Sequence, residues 1–264
     1  MFEGAERKGS GGRLARAAPP VVVVVLLLTA WEGYVRLTGV SPIVLPSPTR
    51  ILGALMDFRD LALGHTIPTV QETLVGFSAS VLAAVAAAIA MDQVGWLRRA
   101  LYPLLVGSQA IPIVAIAPLL VLWFGFGLFS KALVIVLVTF FPITVALLDG
   151  FASTTREATD LMATMGASRG QVFRKLRWPT ALPSLFTGLR ISATYAVVAA
   201  IFGEYVGAYE GLGIWMQISR NAFRADLVFV AILIASVLSM MLFVAVSRLE
   251  ALVIPWHRAS RRRP

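Results

Sequence analysis

Asp160-Leu161-Met162-Ala163-Thr164-Met165-Gly166-Ala167-Ser168-Arg169-Gly170-Gln171-Val172-Phe173-Arg174-Lys175-Leu176-Arg177-Trp178-Pro179-Thr180-Ala181-Leu182-Pro183 is a polar, basic interruption between two apolar runs. It reads as two short helices broken at a glycine. The first covers Asp160–Met165 and ends at Gly166, which can take the left-handed conformation that stops a helix. Ser168 then serves as N-cap of the second, with Gln171 three residues on. Arg169, Arg174, Lys175 and Arg177 put the segment on the cytoplasmic side of a membrane. Too long for a turn and too short for a domain, it reads as a docking element for a cytoplasmic partner.

The 264-residue chain is 58% hydrophobic and 14% charged, with a mean hydropathy of +0.81. Soluble domains carry about 25% charged residues, so the composition is that of an integral membrane protein, and its long apolar runs read as helices of an all-α one. The absence of cysteine removes disulfides, thiolate metal sites and a thiol nucleophile from consideration. The net charge of +9 lies beside apolar runs. That arrangement suits an anionic membrane lipid surface rather than a nucleic acid.

A helix needs about 20 apolar residues to cross the hydrocarbon core. Six stretches meet this: Pro20–Thr38, Pro68–Met91, Leu101–Phe124, Ser130–Gly150, Ser184–Val206 and Asp226–Ile254. Residues 1–19 read as a disordered basic arm, 20–256 as the six-span domain with its elbow at 153–183, and 257–264 as a basic tail. No cleaved signal peptide is expected, because the first apolar run is long and no small-residue cleavage site follows it.

Charge sets the orientation. Arg7, Lys8, Arg13, Arg16, Arg98, Arg99, Arg156, the elbow cations, Arg248, Arg258 and Arg261–Arg263 all fall on one side. The other side holds Arg36, Arg50, Arg59, Lys131, Arg220 and Arg224, while Arg190 is left inside a span. The excess predicts both termini in the cytoplasm. All six tryptophans fall near predicted span ends, Trp215 among them. In the first outer loop, Ser41–Thr49 reads as extended and stiff with three prolines, and Arg50–Leu63 as a helix on the membrane surface.

Enzymatic signatures are missing. There is no G-x-x-x-x-G-K-S/T loop, no H-E-x-x-H and no G-x-S-x-G. His65 and His257 are far apart, so no histidine metal site is expected.

From Trp31 to Trp256 the chain resembles the transmembrane permease subunits of bacterial ABC importers. The likeness is to the group serving sulfonates, nitrate, taurine and thiamine-precursor pyrimidines. Its most specific part is the cytoplasmic signature: E-A-A, three residues, then glycine, with a proline-bearing helix start downstream. Here Gly166-Ala167-Ser168 matches the glycine core, and Trp178-Pro179 with Leu182-Pro183 matches the downstream part. The E-A-A position is held by the divergent Asp160-Leu161-Met162. Glu157-Ala158 lies three residues out of register. Further matches are Trp31-Glu32, Leu45–Thr49, Trp123–Gly127, Phe141-Pro142-Ile143, and Gly203-Glu204 followed by Gly211-Leu212-Gly213.

The resemblance implies a type I ABC importer permease fold, a multi-pass protein of the bacterial inner membrane. It implies that Asp160, Leu161, Met162, Gly166, Ala167, Ser168 and Arg169 couple to a cytoplasmic ATPase subunit. ATP and magnesium would bind that subunit, and this chain would need no cofactor of its own. An extracytoplasmic solute-binding protein and a second copy of the chain are the other implied partners. Glu204 is either a pathway residue or an acid hydrogen-bonded at the outer interface. Gln109 with Pro112 either faces the pathway or packs between helices, and Tyr195 with Thr194 are weaker pathway candidates. The run Gln109–Leu120 looks more like permeases for thiamine-precursor pyrimidines or riboflavin than the sulfonate, taurine or nitrate type, which tends to carry a tryptophan soon after Ile-Pro. A secondary transporter or channel working without ATP would instead show mid-membrane acids and an internal repeat, and neither is evident.

Overall fold

The computed structural model describes residues 11–256, with side chains from residue 19 onward. Expectations for residues 1–10 and for the tail at 257–264 lie outside the described residues. The chain runs through α1 (Gly11–Thr38), α2 (Pro48–Asp57), α3 (Arg59–Gln93), α4 (Gly95–Ser108), α5 (Ile113–Phe124) and α6 (Leu128–Ala152). It continues through α7 (Arg156–Thr164), α8 (Arg169–Val172), α9 (Trp178–Gly207), α10 (Leu212–Asn221) and α11 (Ala225–Val253). No strand occurs among the described residues. α1, α3, α6, α9 and α11 are each long and apolar enough to cross a membrane, and α4 with α5 supplies a sixth crossing if the bent pair is one span.

Three expectations are corrected. The span expected at Leu101–Phe124 is broken, because α4 and α5 meet at 104° across Gln109–Pro112. Pro112 disfavours helical geometry at Ile111 and brings no N–H, so the helix cannot pass through. Secondly, the crossing segment runs Pro19–Thr38 as expected, but its helix reaches back to Gly11 into the stretch expected to be a disordered arm, since Leu14, Ala15, Ala17 and Ala18 with Arg13 and Arg16 are strong helix formers. Thirdly, the surface helix expected at Arg50–Leu63 is divided at Phe58, where α2 ends and α3 begins.

The described residues form two compact units. One holds the chain up to Arg59 together with Ser219–Val230. Its α2 opens on Pro48 with Ser47 as N-cap, a preferred arrangement. The Glu32 carboxylate accepts hydrogen bonds from Thr49 N (3.0 Å) and Thr49 Oγ1 (2.7 Å), and pairs with Arg36 Nε at 2.7 Å. Two separated matches in sequence, Trp31-Glu32 and the Leu45–Thr49 run, thereby become one contact. In the same unit Asp226 accepts from Arg224 and from Leu227 N.

The second unit holds Asp60–Ile218 and the chain from Ala231 on. Its centre is the pair α6 and α9, and small residues let the two backbones approach. A Cβ on Gly188 would lie 2.7 Å from Ala146 Cβ and 2.9 Å from Pro142 O. Polar groups tie this centre to α3. Ser192 Oγ donates to Thr139 O at 2.9 Å, and the Thr139 and Ser80 hydroxyls are 2.7 Å apart.

Candidate functional site

The elbow is built by local rules. Thr155 Oγ1 caps α7, accepting from Ala158 N at 3.3 Å. At the other end Ala167 N donates to Met162 O (3.0 Å) and Gly166 N to Ala163 O (2.9 Å). This crossed pair is the Schellman arrangement, and it requires a left-handed residue at the stop. Gly166 supplies it at φ +79°. Ser168 then opens α8 through a reciprocal capping box, with Ser168 N donating to Gln171 Oε1 at 2.8 Å and Gln171 N to Ser168 Oγ at 3.4 Å. Both halves of the sequence reading hold, although the first helix begins at Arg156, a turn before Asp160.

The outer face of the elbow is open. Asp160, Leu161, Gly166, Ser168 and Arg169 are exposed, while Met162 and Ala167 are half-buried. Leu161 is 64% and Met165 79% exposed, an i, i+4 apolar pair with nothing over it. A cavity of about 630 Å³ opens on the opposite side of α7, with Asp92, Thr159, Ala163, Arg169 and Arg174 among its lining residues.

The inner face is anchored. Arg177 closes a π-helical turn (Phe173–Arg177) and places a terminal guanidinium nitrogen 2.7 Å from Asp92 Oδ1 at the end of α3. The same guanidinium lies over the Phe151 ring at the end of α6, 5.9 Å from its centroid. Phe151, Phe173 and Trp178 pack with ring centroids 5.6–6.2 Å apart. The elbow thus touches the ends of three spanning helices.

A second polar cluster lies at the far end of α9. Glu204 is fully buried. Its Oε1 accepts from Thr69 Oγ1 at 2.5 Å and its Oε2 from Gly213 N at 2.6 Å. Leu212 N donates to Thr69 Oγ1 (2.9 Å) and Gly211 N to His65 Nδ1 (3.1 Å), so α3 and α9 together bind the start of α10. Lys131 and Glu72, also buried, pair at 2.5 Å. Neither oxygen of Glu204 is open to solvent.

Gln109 and Pro112 are exposed at the break between α4 and α5, and Tyr195 is 53% exposed on α9. The structure brings none of the three to Glu204. Lys131, counted with the cations of the outer side, lies in the first turn of α6 and is buried against Glu72. Trp215 is no interfacial anchor, because it is buried and stacked on His65 at 5.6 Å. The ion pairs Asp92–Arg177, Glu72–Lys131 and Arg190–Glu250 were missed by sequence reasoning. Their only signal was the position of charged residues within or at the ends of apolar runs.

Residues 79–255 match the sequence profile described as binding-protein-dependent transport system inner membrane component. The chain is 41% identical over 233 residues to the formylaminopyrimidine transport permease protein ThiX of Halalkalibacterium halodurans, covering 88% of this chain and 93% of that one. It is 38% identical to the riboflavin transport system permease protein RibX of Chloroflexus aurantiacus, with 87% of each chain covered. Identity to the taurine transport system permease protein TauC of Escherichia coli is 31%, covering 88% of this chain and 86% of that one.

Proposed function

The chain belongs to the family of binding-protein-dependent transport system inner membrane components and is a multi-pass ABC importer permease, and we propose that its solute is a thiamine-precursor pyrimidine or riboflavin. The observation that carries the choice of solute is the identity of 41% and 38% to permeases named for formylaminopyrimidine and riboflavin, against 31% for the taurine permease. Transport of a sulfonate, taurine or nitrate is the second reading, supported by the 31% likeness over most of the chain.

In the proposed assembly two copies of the chain enclose the pathway with both termini in the cytoplasm. An ATPase subunit, which carries ATP and magnesium, docks on the elbow, and the exposed Leu161 and Met165 offer it an apolar grip. ATP hydrolysis belongs to that subunit. A solute-binding protein delivers cargo on the opposite face. Closure of the ATPase would shift α7 and α8, and the Arg177–Asp92 bond with the Phe151–Phe173–Trp178 cluster would carry the shift into α3, α6 and α9.

Reconstitution in liposomes with the cognate ATPase and binding protein tests the reading. ATP-driven uptake of labelled formylaminopyrimidine or riboflavin is the expected result. Uptake of taurine with neither heterocycle carried favours the second reading. ATP-independent uptake would overturn the importer assembly.

A further inference from the structure

One stripe of α9 is open although its other faces are covered. Thr187, Ile191, Thr194, Tyr195 and Val198 recur along it at helical spacing and are exposed, with Arg190 half-exposed among them. Beyond Val198 the stripe continues into a cavity of about 640 Å³ lined by Ile201, Phe202 and Tyr205.

Other exposed faces differ in chemistry. Val21–Leu28 of α1 are aliphatic without a break, and α11 presents Ile232, Leu233, Val237, Met240, Met241 and Val244. Such faces suit acyl chains. The α9 stripe instead carries a guanidinium, two threonines and a tyrosine. An ionisable side chain within a spanning helix faces either protein or water. Arg190 leaves 28% of its side chain open, and within this chain no further protein covers that part.

The guanidinium is balanced. Arg190 Nη1 meets Glu250 Oε2 at 2.8 Å, and Nη2 meets Thr187 Oγ1 at 3.3 Å. Thr187 and Thr194 return their own hydroxyls to the carbonyls of Pro183 and Ile191. Glu204 is the only other charged side chain on α9, and it is closed off; α5 has none. The wall is polar with no net charge. An unpaired guanidinium there would concentrate anions, and Glu250 cancels that field.

We propose that this stripe of α9 is a wall of the solute pathway, and that the Arg190–Glu250 pair keeps the wall neutral and so favours uncharged solutes over small anions. The proposal rests on the reading of the chain as a solute permease, and it deepens the choice of an uncharged heterocycle.

The chain contains no cysteine, so single thiols can be placed with no background labelling on this chain. The assembled transporter in vesicles, carrying Ile191→Cys or Thr194→Cys, is treated with water-soluble thiosulfonates of opposite charge and similar size. Val237→Cys on α11 is the comparison. Modification at 191 and 194 should run at least about tenfold faster than at 237. Glu250→Gln should raise the anionic-to-cationic rate ratio about tenfold, and Arg190→Gln should lower it about as much. The double variant should return to the parental ratio, which separates charge from misfolding. Slow labelling at 191 and 194, or a ratio unmoved by either single change, overturns the proposal. Labelling needs no transport, so its failure is distinguishable from failure of heterocycle uptake.

Discussion

Arg177 bonds Asp92 at 2.7 Å across the base of the elbow, joining the start of α9 to the end of α3. The Asp92 side chain is only 4% exposed and its Oδ2 has no partner. Removing the cation therefore strands a buried carboxylate. Arg177→Ala should cost about 2–3 kcal/mol. Adding Asp92→Ala should recover much of that, as read from a double-mutant cycle of thermal unfolding in detergent.

Gly166 has open space where a Cβ would go, so substitution there acts through backbone conformation alone. A β-branched residue at φ +79° costs about 1–2 kcal/mol, and asparagine tolerates the region better. Gly166→Val should weaken copurification of the ATPase and lower ATP turnover, while Gly166→Asn keeps most of both.

Ser168→Ala deletes one half of the capping box, a loss of about 1 kcal/mol. Amide exchange across Arg169–Val172 should speed up about fivefold, with the spanning helices unchanged. Equal exchange in the two proteins would mean that the cap does not hold the elbow.

Glu204→Ala leaves Gly213 N–H without its acceptor in a dry site, while the Thr69 hydroxyl can turn fully to His65 O at 3.1 Å. The expected loss is about 1–3 kcal/mol, the cost of one stranded buried donor. Limited proteolysis should find new cleavage at Gly207–Gly213. Glu204→Gln preserves shape but offers only one acceptor, so its loss should fall between parent and alanine.

Gly188→Ala drives a methyl into Ala146 and the Pro142 carbonyl, where backbone has to move. A loss of about 1–3 kcal/mol in thermal unfolding is expected. Gly170→Ala meets nothing within 4 Å and should change stability by less than about 0.5 kcal/mol.

Features governed by short-range rules were legible in the sequence. The spans followed from apolar run length. The elbow followed from Gly166, Ser168 and Gln171, whose spacing encodes a stop and a start whatever surrounds them. The break at Gln109–Pro112 was half legible: a proline stops a helix by a local rule, but the angle depends on packing after Ile113. Contacts between distant segments were not legible. Glu72 lies in a long apolar helix with no local cue that Lys131 will meet it. Trp215 looked like an interfacial ring because aromatic residues at helix ends usually are, and its stacking on His65 depends on how α10 folds back.

α9 has no loop between the turn that begins it and the carboxylate near its other end. At about 1.5 Å per residue it is a rod about 45 Å long, with Trp178 packed at one end and Glu204 locked at the other. Gly188 and its neighbours hold the rod flush against α6, so little compliance remains between the ends. An axial displacement at Trp178 would therefore reach Glu204 and its Gly213 bond, making the two polar clusters opposite ends of one strut.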